Sequence, residues 1–163
     1  MERLAAGPLG SVEATAFARA MREWLWLYPA VEVVHILGIA LLVGAVLLFD
    51  LRLLGLNKRI PVEHLARHLL PIALGALILI VPSGLAMFSA HASEFIIQRT
   101  FLVKMLLLFA AGHNAVFFHL APYRGVAAWS TGAPAPAAAK ASALVSIALW
   151  IGVIACGRLL AYT

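Results

Sequence analysis

The sequence of 163 residues contains a single cysteine, Cys156, and few charged residues. One cysteine excludes a disulfide framework within the chain, and it excludes zinc and iron–sulfur sites that are built from several cysteines. Charged residues make up 12% of the chain, about half of the share that is usual in soluble domains. Hydrophobic residues make up 64%, and a chain of this length has too little interior to bury them all. These proportions exclude a soluble monomer, and they also exclude a disordered chain, which needs low hydrophobicity and high charge.

The net charge of +5 is spread along the chain without a dense basic cluster. Binding to nucleic acid relies on such a cluster, so we predict no nucleic-acid partner. In a chain this apolar, basic loops indicate contact with anionic lipid headgroups. The sequence also has no Gly-rich phosphate loop, no HExxH zinc motif and no GxSxG nucleophile turn.

Four apolar stretches reach the length of roughly 20 residues that a membrane-spanning helix needs. These predicted spans 1 to 4 cover about residues 25–49, 65–87, 101–120 and 141–161. Each is too long for a buried strand, and a membrane barrel would need alternating segments of about ten residues. The sequence therefore predicts an all-α integral membrane four-helix bundle in contact with the lipid bilayer, as a single domain over residues 1–163.

The segment before span 1, residues 11–24, combines charged residues with an uneven apolar stripe. Ser11 is suited to cap a helix, and Trp24 and Trp26 are suited to the headgroup level of a bilayer. We therefore predict an N-terminal amphipathic helix over residues 11–24 that lies in the membrane interface. No apolar run before a small-residue cleavage site precedes it, so we predict no signal peptide.

Loop charge predicts the orientation of the bundle. With the interfacial helix left out, one side carries twice as many basic residues as the other, and cytoplasmic loops are the more basic ones. The basic side carries Arg52, Lys58, Arg59, Arg67, Arg124 and Lys140. This bias predicts a multi-pass membrane protein with its basic loops in the cytoplasm and both termini on the opposite side, which is the periplasm for a bacterial inner membrane.

The longest connection, residues 121–140, is rich in Ala and Pro, which is typical of a linker. We predict that it tethers span 4 loosely, so that spans 1 to 3 form the working unit and span 4 covers them.

Six histidines in so apolar a chain are the main functional signal, because ionisable groups at membrane depth are costly. His68 and His119 lie near the same end of spans 2 and 3, whereas His35 and His113 lie roughly 13 and 18 Å from the other end by helix rise. Histidines at matched depth on facing helices are the arrangement that ligates a haem iron from both sides. The pattern predicts one or two b-type haems, with iron ligands His68 and His119 at one level, and His35 with His113 or His91 at the other.

Two basic residues would balance the charges of such a haem. Lys104 lies one turn inside span 3 and Arg52 lies at the end of span 1, where each could pair with a propionate. We predict a small cytochrome b-like bundle for transmembrane or quinone-linked electron transfer, with a quinone or a periplasmic redox protein as partner. A membrane oxidoreductase activity is one form of this function, and a homodimer is a reasonable assembly for so small a bundle.

Plainer interpretations apply to the same residues. His68 and His119 can be wetted by headgroups, His91 can be a solvated loop residue, and His35 can form a packing hydrogen bond between helices. Lys104 can extend its ammonium outward to the membrane surface.

Two other functions fit the sequence. Copper handling would use the soft ligands Met87 and Met105 together with His35 and His91. A non-catalytic membrane subunit would need none of these residues, since its partner would supply the chemistry.

Several runs of residues carry a resemblance to known families. Residues 27–38 read LYPAVEVVHILG and residues 49–55 read FDLRLLG, and they are followed by SGLAMF at 83–88 and FLVK at 101–104. These runs resemble an uncharacterised family of small bacterial inner-membrane proteins of unknown function.

More distantly, the order of features is similar to that of the haem-dependent protoporphyrinogen oxidases. That resemblance implies His35 as a haem ligand, with Arg52 and Lys104 as functional basic residues. The third span, with Lys104 and Asn114, is also similar to the copper-resistance D membrane domain.

Overall fold

The computed structural model describes residues 7–160 and 162, and within these residues the chain is helical and contains no strand. The α-helices of this part of the chain are α1 (Pro8–Glu13), α2 (Ala16–Glu23), α3 (Leu27–Leu54), α4 (Val62–Ala90), α5 (Ala92–Phe95), α6 (Arg99–Leu120) and α7 (Ala137–Leu159). A 3-10 helix, Pro122–Ala128, lies between α6 and α7. Four of them, α3, α4, α6 and α7, are long and apolar enough to cross a membrane, and they correspond to spans 1 to 4. The predicted all-α four-helix fold is confirmed.

The first span continues beyond its predicted end at residue 49 to Leu54. Asp50 and Arg52 look like the polar end of an apolar run, but both side chains are buried among the helices, so the helix does not stop at them. It ends at Gly55, whose φ of 116° is the left-handed conformation that glycine adopts most readily at a helix C-terminus.

The four spans pack as a row that closes at one end. The long helix α3 packs along α4 and also against α7, and α7 packs along α6. At the end where α3 begins, which we call the Trp26 end, stacked rings of Phe88, Phe95 and Phe101 join α4 to α6. The opposite end, where α3 ends, is the Arg52 end.

The outer surface of the bundle is strongly apolar. Four large side chains on three different spans are between 63% and 75% exposed: Leu74, Ile78, Leu106 and Ile151. A soluble protein does not carry an apolar surface of this extent, whereas helices satisfy their own backbone hydrogen bonds in lipid. The surface fits a multi-pass membrane protein whose spans contact lipid.

The connection between α6 and α7 is packed rather than loose, so the prediction of a loose linker is wrong. Trp129 and Ala135 are buried in the main hydrophobic cluster at the Arg52 end, and Ser130 is buried as well. The Ser130 carbonyl accepts a hydrogen bond from the Val62 backbone N–H at 3.0 Å. The Trp129 side chain belongs to the same buried cluster as Phe49, Leu53 and Phe118. The helix α7 is also no mere cover, since it packs on both α3 and α6.

The N-terminal segment forms two short helices instead of one. The chain turns between them, and the Thr15 hydroxyl caps α2 by accepting from the Ala18 backbone N–H at 3.2 Å. The predicted cap, Ser11, lies inside α1. Trp24 and Trp26 are 66% and 76% exposed, as an interfacial position requires, and the interfacial placement itself stays a prediction.

Candidate functional site

The imidazole of His35 lies half-buried between α3 and α4. Its Nδ1 atom is 2.9 Å from the Ser83 hydroxyl oxygen and 3.1 Å from the Ile80 carbonyl oxygen. A carbonyl oxygen only accepts hydrogen bonds, so Nδ1 carries the proton in this arrangement. In the neutral ring the lone pair is then on Nε2, which is the atom that can bind a metal.

Two glycines allow α3 and α4 to approach each other at this level. A Cβ atom added to Gly38 would lie 2.7 Å from Cγ1 of Ile80, closer than real contacts allow. A Cβ atom added to Gly84 would lie 3.2 Å from Cε1 of His35. The histidine ring therefore packs directly over the backbone of α4 at Gly84.

The ammonium of Lys104 points into the bundle. It does not extend outward to the membrane surface, which is the plainer interpretation of this residue. Its Nζ atom lies 3.8 Å from the position that a Cβ of Gly157 would occupy on α7. It is also near enough to His35 and Cys156 to interact with them electrostatically. Each span thus contributes one polar residue to a group that we call the His35 cluster: His35, Ser83, Lys104 and Cys156.

Three other predicted ligands, His68, His113 and His119, are exposed on the outside of the bundle. In each case Nδ1 hydrogen-bonds the carbonyl oxygen of the residue four positions earlier in the same helix. These oxygens belong to His64, Phe109 and Ala115, at 2.8, 2.9 and 2.8 Å. Among the described residues, the helix that carries His68 packs mainly along α3, and the helix that carries His119 packs mainly along α7, so these two helices are not direct neighbours over most of their length. The structure therefore places none of these three rings inside the bundle.

His91 follows α4 at the Trp26 end. It is half-buried, and its ring contacts the ring of Tyr28. Its Nδ1 atom is 3.5 Å from a carboxylate oxygen of Glu94, and its ring meets the edge of Tyr28 with centroids 6.4 Å apart. The copper alternative would combine this residue with Met105, whose side chain is exposed. Among the described residues no group of three or more His, Cys, Asp or Glu side chains is placed to hold a metal ion.

Arg52 is 4% exposed, and its guanidinium donates hydrogen bonds to the backbone of two connections. Its Nε donates to the Ile60 carbonyl at 2.7 Å, and its Nη2 donates to the carbonyls of Lys58 and Ser130 at 3.2 and 3.1 Å. These bonds hold the α3–α4 connection and the α6–α7 connection against the end of α3. Two of its three nitrogens are therefore engaged with the protein's own backbone.

A second polar group, the Asp50 layer, was not predicted from the sequence as a site. It consists of Asp50 on α3, Ser142 and Ser146 on α7, and Asn114 on α6. The Asn114 amide donates to the Ser142 carbonyl at 3.0 Å, and the Ser142 hydroxyl donates back to the Asn114 side-chain oxygen at 3.0 Å. Asp50 faces the Ser146 hydroxyl one turn further along α7. The i, i+4 spacing of the two serines is the sequence signal that could have indicated this face.

Residues 26–163, which contain all four spans, match the family model described as "Family of unknown function (DUF6644)". Comparison with curated proteins gave no match, and comparison with solved structures gave none either. The similarity to protoporphyrinogen oxidases and to the copper-resistance D domain therefore stays a prediction, while the resemblance to an uncharacterised membrane family is confirmed. The chain belongs to the DUF6644 family of unknown function.

Proposed function

We propose that the protein is a b-type haem-binding membrane protein that transfers electrons, with His35 as an axial ligand. The observation that carries the proposal is the arrangement of the His35 ring. Its Nδ1–H is held by Ser83 and by the Ile80 carbonyl, and its Nε2 is left as the metal-binding atom. Histidines that ligate metals usually donate their other ring N–H in this way, which fixes the orientation of the ring. When bound, the haem supplies the one-electron chemistry.

Lys104 supports the same proposal through its charge. The ammonium lies inside the bundle and interacts electrostatically with His35. Burying an ammonium costs free energy unless an opposite charge or hydrogen-bond acceptors compensate. A haem propionate near His35 would provide such a partner.

Only one of the proposed axial ligands, His35, lies between the helices of the bundle. The exposed rings of His68, His113 and His119 can reach an iron only at the outer surface of the bundle. They would serve as second axial ligands if two copies of the chain formed a homodimer that shared a haem across that surface. The second ligand and a second haem therefore stay predictions that depend on dimer formation.

The charge of the loops predicts on which side of the membrane the His35 cluster lies. With the basic Arg52 end in the cytoplasm, the His35 cluster lies nearer to the periplasmic face of the inner membrane. Electrons would then pass between a haem at that level and either a membrane quinone or a periplasmic acceptor.

The test is the visible spectrum of the detergent-purified protein, oxidised and dithionite-reduced, with a pyridine haemochrome count and a copper analysis of the same sample. We expect a Soret band that shifts on reduction, with α and β bands, and haem in a fixed ratio to the chain. A pure, monodisperse but colourless protein, after expression with an ample haem supply, would overturn the proposal. Copper retained without haem bands would overturn it in favour of copper handling, and a sample with neither would favour a non-catalytic subunit.

A further inference from the structure

An open groove of about 290 Å³ lies at the Arg52 end of the bundle, where the first turns of α4 meet the 3-10 helix. We call it the α4 groove. Its walls combine charged, aromatic and apolar side chains: Glu63, Ala66, Arg67, Leu70, Pro71 and Tyr123. The volume is well above that of an engineered cavity of about 150 Å³ that accepts benzene, so the groove has room for a ligand larger than a single ring.

The α4 groove carries two opposite charges that do not neutralise each other. Glu63 and Arg67 are four positions apart on α4, the spacing at which a carboxylate and a guanidinium usually pair on a helix. Among the described residues, however, neither side chain takes part in an ion pair. Both charges are therefore available to a ligand that carries the complementary pair, an anionic group and a cationic group.

The charged and apolar walls of the groove lie at different depths in the membrane. Glu63 is in the first turn of α4, and Leu70 lies roughly 10 Å further along the helix by its rise per residue. The exposed ring of Pro71 continues the apolar wall in the direction of the bilayer centre. A membrane lipid has the same order of parts, with a charged headgroup at the surface and acyl chains below it.

The bundle holds both walls of the groove in place. The Glu63 backbone N–H donates to the Ser130 hydroxyl at 3.3 Å, which ties the start of α4 to the α6–α7 connection. The Tyr123 ring packs against the rings of Phe118 and His119, with centroids 5.6 and 5.4 Å away. The groove therefore exists before a ligand binds, and a preformed site avoids the cost of ordering its walls.

We propose that the α4 groove binds a phospholipid whose headgroup carries a phosphate and a primary ammonium, taken from the leaflet at the Arg52 end. Arg67 donates hydrogen bonds to the phosphate, and the Glu63 carboxylate accepts hydrogen bonds from the ammonium. The acyl chains then leave the groove past Leu70 and Pro71. An anionic headgroup without an ammonium would leave Glu63 unpaired, and a quaternary ammonium has no N–H to donate. The site is independent of the proposed haem function.

The test is native mass spectrometry of the full-length chain, delipidated in detergent and titrated with one lipid at a time. Phosphatidylethanolamine is compared with phosphatidylcholine and phosphatidylglycerol that have identical acyl chains. We expect the first phosphatidylethanolamine molecule to bind about ten-fold more tightly than the first molecule of either other lipid, because each of these lacks the charge-assisted hydrogen bonds to Glu63.

Three variants locate the binding. Glu63→Gln removes the negative charge, so the preference for phosphatidylethanolamine should fall to about two-fold or less. Arg67→Gln removes the phosphate contact, so all three lipids should bind about ten-fold more weakly. Arg59→Gln is the matched control, because Arg59 is an exposed basic residue of the α3–α4 connection that does not line the groove, and it should match the wild type. Size-exclusion and circular dichroism check that each variant is folded.

Equal binding of the three lipids to the wild type would overturn the proposal, and so would an unchanged preference in Glu63→Gln. Equal losses in Arg67→Gln and Arg59→Gln would also overturn it, because they would indicate a generally basic surface instead of a site. The readout does not depend on haem, so a colourless protein with this lipid preference would overturn the proposed function alone. A haem protein without the preference would overturn the lipid site alone.

Discussion

The Nδ1 atom of His35 and the hydroxyl oxygen of Ser83, 48 positions apart in the chain, lie 2.9 Å from each other. This contact joins α3 to α4 at the level of Gly38 and Gly84, where the absence of side chains lets the two helices pack closely. It gives the histidine a fixed orientation inside the membrane, and the proposed haem function depends on that orientation.

Removing the Ser83 hydroxyl should cost stability. In Ser83→Ala the His35 ring keeps the Ile80 carbonyl as its one acceptor, so we expect a loss of about 0.5–1.5 kcal/mol in the free energy of unfolding. Unfolding in mixed micelles, followed by circular dichroism, measures it. The control is Ser89→Ala, because the Ser89 hydroxyl bonds only to the Ala86 carbonyl in its own helix. Equal effects of the two substitutions would contradict a specific role for Ser83.

The close approach of α3 and α4 should not tolerate a methyl group at Gly38. The added Cβ would lie 2.7 Å from Cγ1 of Ile80, so Gly38→Ala should destabilise the bundle by about 1–3 kcal/mol. Gly44→Ala on the same helix meets nothing within 4 Å, and it should be neutral or stabilising by about 0.5–1 kcal/mol. The same unfolding assay compares them, and a neutral Gly38→Ala would contradict the packing described here.

Arg52 should act on the loops through its bidentate geometry. Arg52→Lys keeps the charge but replaces the two nitrogens that reach the Ile60 and Ser130 carbonyls by one, so we expect a loss of about 1–3 kcal/mol. Amide hydrogen exchange should accelerate in residues 56–61 and 128–132. The exposed Arg59→Lys is the control. If exchange is unchanged while haem retention falls, Arg52 serves a propionate rather than the loops.

The paired bonds between Asn114 and Ser142 should be energetically coupled. A double-mutant cycle with Asn114→Ala and Ser142→Ala should give a coupling of about 0.6 kcal/mol and at most about 1.7 kcal/mol, the average and the maximum measured for polar pairs between membrane helices. Additive effects of the two substitutions would show that the pair makes no net contribution.

The N-terminal helices should detach from the bundle in acid. The Glu13 carboxylate accepts hydrogen bonds from the Ser93 backbone N–H and hydroxyl, both at 2.7 Å, and these bonds lower the pKa of Glu13 below its ordinary value. A lowered pKa in the folded state means that this stabilisation is fully present above the ordinary value of about 4.3 and is lost as the pH falls through the lowered pKa.

Hydrogen exchange of residues 8–23 against pH measures this detachment. Protection should fall below about pH 4 in the wild type. In Glu13→Gln the side chain does not titrate, so the same range should show little change with pH. A wild-type profile that is as flat as that of Glu13→Gln would contradict the role of Glu13.

The architecture could be predicted from the sequence because long apolar runs have one stable arrangement in lipid. The four spans, and His35 as a residue that faces another helix, could be predicted in this way. Pairing of the histidines could not be predicted, since depth along a helix says nothing about which side of it a residue faces. His68 and His119 share a depth and yet both face outward.

Tertiary packing also reverses two plain interpretations of the sequence. The Ala and Pro residues of 121–140 resemble a linker, but Trp129 inserts into the core and fixes the segment. Asp50 resembles the polar end of a span, but α7 brings Ser146 beside it and encloses it. Neither contact could be predicted, because each depends on which helices are neighbours.

The most direct test of the central claim is the haem content and reduced spectrum of His35→Ala and His35→Met beside His64→Ala. We predict that His35→Ala retains about one tenth or less of the wild-type haem content, while it still elutes as a folded, helical protein. His35→Met should retain haem with an altered α band and a higher reduction potential, because a methionine ligand raises the potential. His64→Ala should match the wild type, since the exposed His64 ring lies outside the His35 cluster. Full haem occupancy and an unchanged spectrum in His35→Ala would contradict the account.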